Sequence, residues 1–145
     1  SILFEKRQVH KGYHAIVSGL PSWQKHTARH PLRANVGHAH RTVVDDAAGK
    51  PAETSFSVLQ RFPSFCLLEA CPATGRTHQV RAHAAALGLP LAADTLYDGP
   101  AVPWLARPAL HALSLSFVLD GQAHAFTAPL AADLRQALEK LGAGV

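Results

Sequence analysis

The chain has 145 residues, 48% of them hydrophobic and 17% charged, with a formal charge of +4. That is one domain's length with room for a real core, and the composition excludes a disordered chain. No apolar run approaches the ~20 residues of a membrane-spanning helix, and Cys66 and Cys71, five apart on one predicted strand, face opposite ways. Two unpaired thiols suit a reducing compartment, so a cytosolic protein is expected.

Residues 9–17 alternate well enough for a strand, which Ser18-Gly-Leu-Pro21 ends. Residues 21–40 are rich in Pro, His and Arg without periodicity and read as a loop. Arg41-Thr-Val-Val44 makes a short strand and residues 45–51 a turn. Residues 54–62 alternate cleanly and should pair with a buried strand over 64–71 through Pro63-Ser64. A short alanine-rich helix follows, closed by Gly88, with Gly75 supplying the tight turn before it and Thr74 or Thr77 capping it. Within that helix Val80, Ala84 and Leu87 form the packing stripe, while His78 and Arg81 share another face. Residues 98–106 are a proline-rich loop, 109–117 a strand and 124–127 a last short strand. Residues 130–141 spell an amphipathic helix with leucines at 130, 134, 138 and 141. The order of elements gives an α+β domain, a mixed, largely antiparallel sheet with flanking helices, with no repeat or linker dividing it.

Charge is unevenly spread. Residues 1–44 hold seven Lys or Arg (Lys6, Arg7, Lys11, Lys25, Arg29, Arg33, Arg41) and six histidines against one acid, Glu5. Such a segment suits a polyanion, most simply nucleic acid, although a solvated basic loop would read the same way. Arg76 and Arg81 add to it, both close to a helix N-terminus whose unpaired N–H groups favour an anion.

The densest motif is Thr74-Gly-Arg-Thr-His-Gln-Val-Arg-Ala-His83, followed by Leu87-Gly-Leu-Pro90 and Ala93-Asp-Thr-Leu-Tyr97. It resembles the RluA-like pseudouridine synthase family, whose pattern is close to Thr-Gly-Arg-x-His-Gln-(Ile/Leu)-Arg-x-His and then Leu-Gly-x-Pro-x-x-Gly-Asp-x-x-Tyr-Gly. Ala93 and Asp98 stand where that pattern has glycine. Lys11, Tyr13, Ala15, Val17 and Gly19 resemble a second family motif; Ala52, Thr54, Phe56 and Val58 a third; Leu110-His-Ala a fourth. The resemblance covers nearly the whole chain and implies part of the pseudouridine synthase catalytic fold, residues 1–145 forming one domain.

It also implies isomerisation of uridine to pseudouridine within ribosomal or transfer RNA, without cofactor or metal. Tyr13 matches the family's active-site tyrosine and Arg81 the arginine that pairs with its nucleophilic aspartate; these are the expected catalytic residues. Physical chemistry agrees with such a set, because a guanidinium keeps a carboxylate ionised beside a polyanion and a flipped base needs an aromatic surface. Lys11, Arg76, His78 and Gln79 are the expected RNA-binding residues, the last three with backbone contact or scaffold hydrogen bonding as their role. The family's nucleophilic aspartate belongs to an Arg-Leu-Asp motif upstream of the tyrosine strand, and no Arg-Leu-Asp occurs in these residues. The six aspartates, at 45, 46, 94, 98, 120 and 133, all sit in other contexts. Residues 1–9 resemble the end of a helix entered midway, so a truncated chain carrying two of three catalytic groups is expected. Two other readings compete: an RNA-binding module of the same fold without catalysis, and a metal-binding protein suggested by ten histidines. No Cys-x-x-Cys or His-Glu-x-x-His spacing supports the latter.

Overall fold

A computed structural model describes residues 9–142. Eight strands occur in it: β1 (Val9–Ser18), β2 (Lys25–Ala28), β3 (Leu32–Val36), β4 (Arg41–Val44), β5 (Thr54–Arg61), β6 (Phe65–Pro72), β7 (Leu110–Leu119) and β8 (Gln122–Thr127). Two helices, α1 (Gln79–Ala86) and α2 (Ala132–Gly142), and a 3-10 turn (Thr95–Tyr97) complete the set. Six strands form one sheet in the order β2-β5-β6-β1-β7-β8, and β3 pairs with β4 as a separate arm. Every strand pair described is antiparallel. The α+β class holds.

β1 lies at the centre and is buried on both faces, so Ala15-Ile16-Val17 is a continuous apolar run rather than an alternating one. Ala15 and Val17 join Phe56, Leu68, Val80, Ala84 and Leu91 on the face that α1 covers. Ile16 points the other way, into Leu67, Leu105, Ala109, Leu134 and Leu141 beneath α2. Each fully buried side chain of this size stabilises the fold by roughly 1.5–3 kcal/mol.

α1 ends as its sequence requires. Leu89 N–H bonds Ala84 O (3.0 Å) and Gly88 N–H bonds Ala85 O (3.0 Å), with Gly88 at φ 76°. That is a Schellman closure, which needs a residue free to adopt left-handed backbone at this position.

Two expectations are corrected. Residues 21–40 are not all loop, because β2 and β3 lie within them. Neither strand is legible from periodicity: β2 is a four-residue edge strand on β5, and β3 exposes most of its residues. The start of α1 also differs, since neither threonine caps it. The N-cap is His78, in left-handed backbone (φ 50°, ψ 28°) and without a side-chain cap bond. Thr74 Oγ1 instead accepts the Glu53 N–H (3.0 Å) and donates to Gln79 Oε1 (2.7 Å), tying the turn to β5. The helical reading of residues 1–9, and the Lys6 and Arg7 charges, fall almost wholly outside the described residues.

Candidate active site

The six residues singled out from sequence converge. Lys11, Tyr13, Arg76, His78, Gln79 and Arg81 line one cleft of about 320 Å³, floored by Pro72, Val80 and Leu110. Three elements build it: β1 supplies Lys11 and Tyr13, the turn after β6 supplies Arg76, and the start of α1 supplies the rest.

Tyr13 is placed by a bulge. The β1–β7 register shifts between Gly12 and Tyr13, and a bulge is a device that re-aims one side chain without disturbing the sheet. A Cβ on Gly12 would stand 2.5 Å from Ser114 Oγ, so the glycine before Tyr13 leaves room for that hydroxyl in its present rotamer. Burial raises the Tyr13 pKa, which keeps the phenol protonated as an aromatic surface and hydrogen-bond donor.

Arg81 is held rather than merely placed. Its Nε and Nη2 donate to the two carboxylate oxygens of Asp94 at 2.9 and 2.7 Å, a bidentate fork. The Asp94 side chain is only 1% exposed and that of Arg81 18%. These carboxylate bonds raise the guanidinium pKa above its ordinary value despite partial burial. The ring of Tyr97 lies beneath, with the Arg81 and Arg41 guanidinium carbons each 5.0 Å from its centroid.

Tyr97 also orients His78. Its hydroxyl accepts the Thr42 N–H (3.0 Å) and lies 2.8 Å from His78 Nδ1. The phenol oxygen keeps a second lone pair and its own proton, so it can serve Nδ1 as donor or as acceptor, and either bond fixes the ring's orientation. Desolvation first, and then the Arg81 cation, lower the His78 pKa, which favours the neutral ring.

Gln79 is a hub inside the protein. Its amide donates to Glu53 O (2.8 Å) and Thr54 Oγ1 (3.0 Å), and its Oε1 accepts from Thr74 Oγ1 (2.7 Å) and Arg76 N–H (3.0 Å). Two donors and two lone pairs are all used, so its amide has no hydrogen bond left for RNA. Of the two roles expected for it, scaffold hydrogen bonding is the one this geometry serves. Arg76 spends only its Nε, on Pro51 O (2.8 Å).

Sequence reasoning gave no role to Asp94 or Tyr97, although both stand in the quoted motif. Ala93 and Asp98, the two departures from the family pattern, have φ 63° and φ 66°. The glycines of that pattern therefore mark left-handed backbone around the residues that seat Arg81. Asp98, a residue type that tolerates this conformation, pairs with Arg41 (3.1 Å). Among the described residues no group of three or more His, Cys, Asp or Glu side chains converges as a metal site would.

Fold and cleft together define a sheet-based domain presenting basic residues and one aromatic side chain around a concave site. The RNA pseudouridylate synthase family model matches residues 1–86, and the chain belongs to that family. It is 38% identical over 149 residues to the ribosomal large subunit pseudouridine synthase C of Haemophilus ducreyi, covering 95% of this chain and 46% of that protein. The Vibrio cholerae protein of the same name is 35% identical over 146 residues, again 95% and 46%. The chain thus spans about half the length of these curated relatives. Among solved structures, human RNA pseudouridylate synthase domain containing 1 superposes with a TM-score of 0.76 at 28% identity, over 98% of this chain and 69% of that one.

Proposed function

We propose that this chain forms the part of an RNA pseudouridine synthase that grips the target uridine and orients its nucleophile. The reaction breaks the C–N glycosidic bond, turns the uracil in place and forms a C–C bond. The observation that carries this reading is the state of Arg81. Asp94 occupies the Nε side of the guanidinium and leaves Nη1 and the second Nη2 proton to point elsewhere. An arginine held this way can pair with a second carboxylate end-on while its position stays fixed.

The nucleophilic aspartate that the family resemblance assigns to an Arg-Leu-Asp motif is supplied, in this reading, from outside these 145 residues. Tyr13 stacks on or donates to the extruded base. Lys11, Arg76 and His78 meet the ribose-phosphate. The substrate is ribosomal or transfer RNA in the cytoplasm, and the names of the relatives put large-subunit ribosomal RNA first in any test.

The experiment is pseudouridine mapping of RNA incubated with the longest natural chain that contains these residues. Arg81→Ala and Tyr13→Ala should each abolish site-specific product. Arg81→Lys should not rescue, because a point charge cannot hold a carboxylate bidentately. Near-normal turnover in either variant overturns the assignment. A second reading, an RNA-binding module without catalysis, is favoured by one observation: none of the six aspartates lies in an Arg-Leu-Asp context. Retained RNA affinity with no product from that longest chain would select it.

A further inference from the structure

A second cavity adjoins the first and has no role in the reaction described above. It measures about 400 Å³ and lies between the β3–β4 arm and the turn before α1, lined by Arg33, Thr42, Lys50, Gly75, Arg76 and Thr77 among others. Gly75 and Arg76 line both cavities, so the two share a wall. Three cations come to the second cavity from three separate segments, and no acidic side chain lines it.

Each of the three is carried by an anchored segment or bond. Lys50 and Leu32 exchange backbone hydrogen bonds at 2.9 and 2.8 Å, which clamps the 45–50 turn against β3. Gly49 permits that clamp, since a Cβ there would stand 2.4 Å from Asp45 O and 2.9 Å from Leu32 N. Arg33 donates its Nε to Asp45 (2.8 Å) and Arg76 its Nε to Pro51 O (2.8 Å), which leaves the Nη groups of both for another acceptor. Asp45 offsets one of the three charges and the remainder is positive.

We propose that this cavity seats a phosphodiester of the substrate strand next to the nucleotide in the active-site cleft, with Arg33, Lys50 and Arg76 as its ligands. The proposal rests on the RNA reading above and extends it. Because Arg76 borders both cavities, a strand that places its base in the first runs its backbone into the second. The contacts carry no base identity, so they fix register and leave sequence choice to other groups.

The test is RNA affinity of this chain against salt concentration, with a uridine-containing stem-loop and with inorganic phosphate as separate probes. Lys50→Ala and Arg33→Ala should each weaken RNA binding by roughly three- to tenfold at low salt and flatten the log–log salt slope by about 1. Lys140→Ala, which removes the same charge from the far end of α2, should leave the slope unchanged. In the longest natural chain, Lys50→Ala should raise KM and leave kcat as it was. A Lys50→Ala slope equal to that of Lys140→Ala, with wild-type binding intact, overturns the subsite and leaves the active-site reading standing. Stabilisation by inorganic phosphate that Lys50→Ala abolishes, together with unaltered RNA binding, also overturns it in favour of a free-anion site. Absence of RNA binding by the wild-type chain at low salt overturns both.

Discussion

Removing Asp94 is the most direct probe of how the cleft is held. Asp94→Ala takes away the carboxylate to which Arg81 donates at 2.9 and 2.7 Å. Breaking a buried pair costs about 3–5 kcal/mol, because the surviving charge is left without its partner. The Arg81 side chain keeps 18% exposure and can recover water, which places Asp94→Ala near the lower figure, about 3 kcal/mol. For a chain of this size that is a fall in melting temperature of roughly 6–12 °C. Arg81→Ala leaves the opposite residue, a carboxylate only 1% exposed, and should cost more, about 5 kcal/mol. The double variant should be less destabilised than the sum of the singles by at least about 2 kcal/mol. Urea denaturation of the four proteins measures all three quantities. Additivity within about 0.5 kcal/mol, or an Asp94→Ala cost above that of Arg81→Ala, refutes the reasoning.

Ala93→Gly should stabilise the chain by about 0.5–1 kcal/mol, because left-handed backbone strains alanine by more than glycine loses in the unfolded state; an unchanged or lower melting temperature counts against it. Acidification below pH 6.5 should destabilise the chain. His83, 0% exposed and bonded to Thr54 Oγ1 and His30 O at 2.8 Å each, has its pKa lowered by desolvation, as have His14 and His78. The unfolded chain then binds protons that the fold refuses, so stability is full above the ordinary histidine pKa and falls below it. A stability flat below that pH in thermal scans would exclude this linkage. Finally, these 145 residues alone should make no pseudouridine in any RNA, since positioning without a nucleophile leaves roughly 10³–10⁴-fold over background in dissected triads. Site-specific product from them would mean that one of the six aspartates attacks the nucleoside.

Much of the molecule was legible in the residue pattern, for local reasons. The β5–β6 hairpin follows from alternation across Pro63-Ser64, α1 from an alanine run closed by Gly88, and α2 from leucines at helical spacing. Tyr13 and Arg81 stand out as candidates because two motifs carry them, and they share a cleft because β1 and the start of α1 both border it. What the pattern left out depends on partners distant in sequence. β2 and β3 are strands because β5 and β4 offer them hydrogen bonds, and neither has a periodicity of its own to announce it. The cap of α1 fell to His78 rather than to a threonine because Thr74 bonds Gln79 and Glu53 instead. Whether Gln79 faces solvent or core, and whether the fork of Arg81 is filled, are settled by β5 and by the 93–98 turn. Hydrogen-bond capacity is a property of residue type, and so the sequence by itself determined which groups can bind RNA or a carboxylate. Only the folded chain decides which of those bonds are already taken, because each partner is brought within 3 Å by a different element.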